Sequence, residues 1–283
     1  MQPCLHPATM RPGLGGPAIV EIGAQAGFHL MEASARSLIN FVADDPNKLR
    51  ALLTAHGVTP IHCGWSAGLR SSRADFAAAL PRTAEEMAFV AAYGCKGGTL
   101  VLPFRRESGV PDPEEADTLD RIGQVADAAA ANGLMIVLEF VGLHIPDAPA
   151  QTYHDLAATL GLLRQVRQAN VGVLLDSYHW YLSGGTVDEI AAMPAGMPLF
   201  VHINDAPPGD VAALDDSMRL LPGEGVIDLT AFLGAIAARG YDGPVSVELF
   251  SERLRAMPPE EAAQRAYETT VAAITRAAAH PTG

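Results

Sequence analysis

The sequence lacks the features that mark a nucleic-acid-binding protein or a disulfide-stabilised protein. Its 283 residues hold 19 lysines and arginines against 32 aspartates and glutamates, a formal net charge of −13, whereas nucleic-acid binders usually carry a basic patch. Only three cysteines occur, Cys4, Cys63 and Cys95, and none belongs to a C-x-x-C pair. We therefore expect no nucleic-acid partner, no structural zinc site and no disulfide framework.

Long apolar runs and targeting patterns are absent too. No apolar run approaches the roughly 20 residues that span a bilayer, and the amino-terminal segment shows no basic stretch followed by an apolar one. We therefore expect no membrane partner, no signal peptide and a cytoplasmic location. The excess of carboxylates suits a site that binds a cation, although solubility alone would also explain it.

Short apolar runs, by contrast, alternate with longer amphipathic segments along the chain. We interpret eight runs as strands, at residues 3–5, 29–33, 59–63, 99–103, 135–140, 172–176, 199–203 and 245–249. They are nearly continuous hydrophobic stretches, as is typical of strands covered on both faces. The patterns between them predict helices, among them residues 45–56, 83–93, 115–132, 229–239 and 258–279. The segment 83–93 opens with Thr-Ala-Glu-Glu, which is typical of a helix start.

Eight such repeats predict an α/β fold, a single (β/α)₈ TIM barrel domain over residues 1–283. An open doubly wound sheet is the alternative. No G-x-G-x-x-G follows the first strand to support a dinucleotide-binding version of that sheet.

Four consecutive predicted strands each carry one metal-capable side chain near the same end, namely Glu139, Asp176, His202 and Glu248. Enzymatic barrels place functional groups at the carboxyl ends of their strands, so we expect these four to converge. Three carboxylates brought together would raise one another's pKa, and a divalent cation would remove their repulsion. Three oxygens and one imidazole nitrogen suit a single Mn²⁺, Co²⁺, Mg²⁺ or Zn²⁺ ion. For any one of the four, a salt bridge or a capping role is the alternative.

Several segments around these residues resemble the sugar isomerase/epimerase superfamily of xylose isomerase-like barrels. Within it they are most similar to the inosose isomerases of inositol catabolism, which act on 2-keto-myo-inositol. The segments are LEFVG (138–142), VGVLLDSYHWYLSGG (171–185), VHINDAP (201–207), RLLPGEGVIDL (219–229) and VSVELFSE (245–252). Glu32 and Pro103 also stand where the family has Glu and Pro. The resemblance implies a xylose isomerase-like barrel and an enzyme of carbohydrate metabolism.

The resemblance also implies a role for each matching residue. The four residues at the strand ends would be metal ligands, His179 would bind substrate oxygens, and Arg219 would reach a substrate oxygen. The alternatives are a surface position for His179 and an ion pair of Arg219 with Asp215 or Asp216. Asp205, three residues past His202, would either orient a ligand or cap the following turn.

The sequence departs from these relatives at positions that would face the substrate. His6 and Gly64 each stand in place of an asparagine, and Ser34 stands in place of an arginine. We therefore treat His6, His62 and Trp65 as candidate substrate-binding residues, with plain packing as the alternative. The resemblance covers the metal site more fully than the substrate pocket.

Together these patterns predict a divalent-metal-dependent isomerase or epimerase of a small polyhydroxylated ketone or sugar. Glu139 or Glu248 would move a proton through a metal-stabilised enediolate. The alternative is a metal-dependent dehydratase on the same scaffold, with His62 or His6 as the acid. A DNA-repair endonuclease conflicts with the negative charge, and a non-enzymatic sugar-binding protein with the intact ligand set. A homo-oligomer is compatible with the superfamily.

Overall fold

Eight parallel strands close into a barrel in the computed structural model, which describes residues 1–43, 45–103, 114–144 and 153–280. Each strand pairs with the next in sequence, and the last pairs with the first, so that Leu5 lies beside Val247. The strands are β1 Gln2–Leu5, β2 Leu30–Ser34, β3 Thr59–Gly64, β4 Gly97–Val101, β5 Met135–Glu139, β6 Val171–Asp176, β7 Leu199–Ile203 and β8 Pro244–Val247. The predicted (β/α)₈ barrel is confirmed, and the open sheet is wrong.

Helices surround the barrel. Within the described ranges they are α1 Gly16–Ala26, α2 Ala35–Val42, α3 Asn47–His56, α4 Arg73–Ala91, α5 Glu115–Ala130, α6 Leu156–Leu163, α7 Ser177–Leu182, α8 Val187–Ala191, α9 Leu229–Ala238, α10 Glu252–Arg255 and α11 Pro259–Ala279. The long helix α11 packs against both α1 and α9 and so closes the outer ring. None of these helices is long and apolar enough to cross a membrane.

An apolar layer fills the lower interior of the barrel. It consists of Cys4, Val137, Leu174 and Phe200, each at most 1% exposed. Side chains on a strand alternate between its two faces, so the residue two positions further along points into the same interior. On β5, β6 and β7 this rule places Glu139, Asp176 and His202 directly above the apolar layer.

The pairing of β2 with β3 carries an irregularity beside this interior. The register runs from Met31 opposite Pro60 to Glu32 opposite His62, which leaves Ile61 as an extra residue on β3. Bulges of this kind re-aim side chains and are common beside functional sites. The shift sets Glu32 and His62 side by side in the barrel.

One predicted helix begins at the wrong residue. Helix α4 begins at Arg73, ten residues before the predicted start at Thr83, and its first turn is capped by Ser72, whose side chain accepts a hydrogen bond from the amide of Asp75. Thr83 lies fully buried in the helix interior, and Pro81 is accommodated within the same helix. The Thr-Ala-Glu-Glu pattern therefore caps no helix. Its polar side chains bind the neighbouring loop instead.

Candidate metal centre and substrate cavity

The four side chains at the strand ends converge at the carboxyl ends of the strands. Glu139, Asp176, His202 and Glu248 each offer one ligand atom, and these four atoms all lie within 4.8 Å of one another. All four residues are buried, with exposed fractions between 1% and 8%. Glu248 follows the last residue of β8, and its amide bonds to the carbonyl of Ile203 on β7.

The hydrogen bond between Nε2 of His202 and Glu32 orients the imidazole so that Nδ1 faces the carboxylates of the cluster. Nε2 lies 2.8 Å from Oε1 of Glu32, whereas Nδ1 makes no hydrogen bond with any residue that the structure describes. Nδ1 lies 3.3 Å from Glu248, 3.7 Å from Asp176 and 3.9 Å from Glu139. With the proton on Nε2, donated to Glu32, the lone pair on Nδ1 faces the three carboxylates. A buried nitrogen without a partner, aimed at three carboxylate oxygens, fits a divalent metal ion.

Glu32 is a site residue to which the sequence reasoning gave no role. It is 7% exposed, and its Oε1 accepts a second hydrogen bond, 2.5 Å long, from Oγ of Ser246. Burial raises the pKa of Glu32, but the charges of His202 and His6 outweigh burial and bring it down to about 2. The signal in the sequence was one glutamate inside an apolar strand.

The three carboxylates of the cluster do not respond alike, although all three pKa values were expected to rise. Burial, and then the charge of Glu248, raises the pKa of Glu139 to about 8, in line with that expectation. The expectation is wrong for the other two. Burial opposes ionisation of Asp176, yet the Arg219 guanidinium holds its pKa well below the usual range. His6 and His202 lower the pKa of Glu248 against the effect of burial.

Arg219 lies beside the four-residue cluster and is 1% exposed. Its Nη1 donates to Oδ2 of Asp176 at 2.8 Å and to Oε2 of Glu248 at 2.9 Å. The remaining donors bind Oδ1 of Asp216, so the alternative ion pair exists beside these contacts. Nη2 also lies 3.0 Å from Nε2 of His179, which is 3% exposed, so a surface position for this histidine is wrong. Neither residue lines the cavity described below.

Asn204 is a second residue that the sequence reasoning missed. Its Nδ2 donates to both carboxylate oxygens of Asp176, at 3.3 and 3.2 Å, and to the carbonyl of Glu248 at 3.2 Å. Asn204 thus ties two of the four candidate ligands together. Asp205 instead accepts hydrogen bonds from the amides of Gly223 and Gly225, so it shapes a loop and does not contact His202.

A cavity of about 460 Å³ opens above the cluster. Glu139, His202 and Glu248 form part of its lining, and so do the predicted substrate residues His6 and Trp65. The predicted residue His62 is absent from that lining. It is 1% exposed, stacks on Phe200 with ring centroids 3.9 Å apart, and bonds Thr99 through Nε2 at 2.8 Å.

The protein is a (β/α)₈ barrel with a buried cluster of three carboxylates and one histidine, which could hold a divalent cation at the carboxyl ends of its strands. Residues 20–272 match the family of xylose isomerase-like TIM barrels. The chain belongs to that family.

Curated and solved relatives support this assignment. The chain is 31% identical over 178 residues to an inosose isomerase of Bacillus subtilis, covering 62% of each protein. It is 35% identical over 164 residues to a 3-dehydroshikimate dehydratase of Pseudomonas aeruginosa, covering 57% of this chain and 25% of that protein. The chain thus spans less than two thirds of the length of these relatives. It is also similar to the crystal structure of the IOLI protein with a zinc atom, with a TM-score of 0.83, 25% identity, and 98% and 99% of the two chains covered.

Proposed function

We propose that this chain is a divalent-metal-dependent isomerase or epimerase of a small polyhydroxylated ketone or sugar. The observation that carries the proposal is the four-residue cluster, in which Nδ1 of His202 is aimed at three carboxylates and has no hydrogen-bond partner in the described part of the chain. The zinc atom in the IOLI structure and the isomerase activity named for the Bacillus relative support it. A cytoplasmic location, a single domain and a homo-oligomer remain predictions.

Glu139, Asp176, His202 and Glu248 would hold the ion. When bound, a divalent ion would polarise a ketone and stabilise the negative charge that develops as the neighbouring carbon loses its proton. Of the three carboxylates in the cluster, Glu139 and Glu248 line the cavity whereas Asp176 does not, so these two are the candidate proton acceptors. Glu32 lines the cavity as well, but its Oε1 is bound by both His202 and Ser246. Asp176 is occupied by Arg219 and Asn204 and serves to hold the cluster in place.

The two candidate bases lie in different surroundings. Glu248 is held by Arg219 and faces Nε2 of His6 at 3.4 Å, and both contacts favour its charged form. Burial beside Glu248 raises the pKa of Glu139 to about 8, which makes it the more basic of the pair before a cation is bound. We assign proton removal and proton return to this pair, because both carboxylates reach the same cavity.

A dehydratase is the second candidate, and His6 is the observation that favours it. Nδ1 of His6 accepts a hydrogen bond from the amide of Ala8, so in the neutral ring the proton sits on Nε2. His6 is 24% exposed and lines the cavity, where Nε2 can donate to a leaving hydroxyl. The dehydratase activity named for the Pseudomonas relative points the same way.

Proton NMR of the metal-loaded protein in D₂O with 2-keto-myo-inositol tests both candidates. Loss of an α-proton signal with a new ketone isomer supports the isomerase, whereas a product that has lost water supports the dehydratase. No exchange with this or any related ring ketone would refute the proposal.

The variant Glu248→Gln tests the role of the carboxylate. We expect it to keep the fold and to lower kcat by about 10²- to 10⁴-fold, because a positioned base contributes that much. Glu252→Gln, an exposed glutamate four residues on, is the matched control and keeps its activity. Appreciable turnover by Glu248→Gln would exclude Glu248 as an essential base.

A further inference from the structure

Thr99 is a half-buried threonine of β4 that lines the cavity. Its register partner on β5 is Val137, which belongs to the apolar layer inside the barrel. Paired residues of neighbouring parallel strands present their side chains on the same face of the sheet, so Thr99 also points inward. On its other side Thr99 pairs with Gly64 of β3. Apart from its chain neighbours, no described residue would come within 4 Å of a Cβ atom added to Gly64, so a substrate has room beside Thr99.

The hydroxyl of Thr99 is held by His62 from inside the barrel. Oγ1 of Thr99 and Nε2 of His62 lie 2.8 Å apart. Within the described ranges, Oγ1 has no second hydrogen-bond partner, and Nδ1 of His62 has none at all. His62 is 1% exposed, and its ring is stacked on Phe200. One hydrogen bond therefore joins a buried, immobilised ring to a hydroxyl of the cavity.

The surroundings of His62 determine which of the two groups donates. Burial lowers the pKa of His62 to about 4, so the ring is neutral near neutral pH and carries a single proton. With that proton on Nδ1, a buried N–H group would have no acceptor, and such groups are rare in native structures. With the proton on Nε2, the N–H group donates to Thr99, and only a lone pair stays without a partner. His62 therefore donates, and the hydrogen of the Thr99 hydroxyl is left for the cavity.

We infer that Thr99 is a specificity-determining residue, which donates a hydrogen bond to a substrate hydroxyl remote from the ketone, and that His62 is its positioning residue. The inference rests on the proposed function, in which the ketone binds at the four-residue cluster. The side chains of that cluster lie on β5, β6 and β7 and just past β8, whereas Thr99 lies on β4, next to the space over Gly64. The substrate oxygen that meets Thr99 is therefore a further one, and the substrate is a polyhydroxylated ketone and not a simple hydroxyketone.

Calorimetry with a set of related rings tests the role of Thr99. The metal-loaded protein is titrated with 2-keto-myo-inositol and with deoxy rings that each lack one of the hydroxyls not adjacent to the ketone. Thr99→Val keeps the shape of the side chain and removes its hydroxyl. We expect this variant to bind the complete ring about tenfold more weakly, because one substrate hydroxyl loses its partner. For the deoxy ring that already lacks that hydroxyl, the two proteins should differ by less than about twofold.

Two further variants serve as controls for Thr99→Val. Thr99→Ser keeps a hydroxyl at the same position and should recover most of the affinity for the complete ring. Thr54→Val changes an exposed threonine on α3 and should bind every ring like the parent. The inference is overturned if Thr99→Val binds the complete ring as tightly as the parent does, or if it weakens the binding of every ring equally.

The positioning role of His62 has a spectroscopic signature. In nitrogen NMR of the histidine-labelled protein, we expect Nε2 of His62 to carry the proton and Nδ1 to carry none, and His62→Phe identifies the signals by their loss. His62→Phe keeps an aromatic ring against Phe200 but removes the donor, so the complete ring should bind about threefold more weakly. The deoxy ring that is insensitive to Thr99→Val should be insensitive to His62→Phe as well. His62→Gln supplies an amide donor and should restore the affinity. A proton on Nδ1, an equal loss for both rings, or no rescue by His62→Gln refutes this role.

α-Proton exchange in D₂O, followed with the same proteins and rings, separates this inference from the proposed function. Lack of exchange with every ring overturns the proposed function, whatever the affinities are. Exchange by a protein whose affinities do not respond to Thr99→Val overturns only the inference.

Discussion

Replacing Glu32 by glutamine tests a carboxylate that lines the cavity and binds the candidate ligand His202. Oε1 of Glu32 accepts from both His202 and Ser246. Glutamine keeps that oxygen and the side-chain volume, so the change removes charge and leaves the geometry in place. A neutral partner makes the His202 imidazole a weaker ligand. Loss of such a hydrogen-bonded carboxylate typically costs about 10- to 100-fold in metal affinity.

The pH dependence makes this prediction sharper. Burial lowers the pKa of His202, but the charges of Glu32 and Glu248 raise it well above its usual value, so protons compete with the metal for Nδ1. Glu32→Gln weakens the ligand and also weakens this competition. At acidic pH, the loss of ligand strength and the weaker competition from protons change the metal affinity in opposite directions. At alkaline pH, only the loss of ligand strength remains. We therefore expect the loss in affinity to grow as pH rises.

Competition against a fluorescent chelator at about pH 6 and about pH 8.5 measures the effect. Glu21→Gln, an exposed glutamate on α1, is the matched control and should bind metal like the parent. If Glu32→Gln folds normally and binds metal within twofold of the parent at the higher pH, then the orientation of His202 by Glu32 does not support the metal site.

Three further predictions follow from the same contacts. Removing bound metal with a chelator should abolish turnover, and Mn²⁺ or Co²⁺ should restore it; full activity after verified removal would sink the mechanism. Burial and the charge of Glu248 raise the pKa of Glu139 from 4.5 to about 8. Without metal, the contribution of Glu139 to the free energy of unfolding is therefore lost as pH rises through that range. Calorimetry should show that metal raises Tm more at pH 9 than at pH 6, and equal increases in Tm would contradict the assignment. Arg219→Met leaves buried carboxylates unpaired and should lower the free energy of unfolding by about 3–5 kcal/mol. The control is Arg73→Met, which removes a side chain that is 72% exposed and should change the free energy of unfolding by about 1 kcal/mol or less. Denaturant titration measures both, and equal losses would refute the structural role of Arg219.

The barrel and the four-residue cluster could be predicted because both follow from a period of two. Apolar runs that end in a polar residue fix which face of each strand looks inward, and closure of the barrel then brings Glu139, Asp176 and His202 together. Glu248 follows the same rule one residue past the end of β8. The rule concerns single strands and needs no knowledge of loops.

The partners of those residues could not be predicted in this way, since they come from distant strands and loops. Glu32 reaches His202 across 170 positions of sequence, and only the closed barrel makes them neighbours. His62 lies beside the register shift between β2 and β3, and its ring stacks on Phe200 and does not line the cavity. A strand pattern cannot register such an extra residue.

The start of α4 was predicted at the wrong residue for the same reason, since the side chains of the pattern bind a distant part of the chain. A threonine followed three residues later by a glutamate is the pattern of a helix cap, because the two side chains then reach backbone amides at the helix start. In α4 the same pair, Thr83 and Glu86, reaches the amides of Ala67 and Ser66 in the preceding loop. Both side chains accept hydrogen bonds from backbone amides, as the pattern predicts, but these amides belong to the loop beside the cavity and not to the start of a helix. Local sequence specifies which groups can accept amide hydrogens, and only the packed barrel determines whose amides they are.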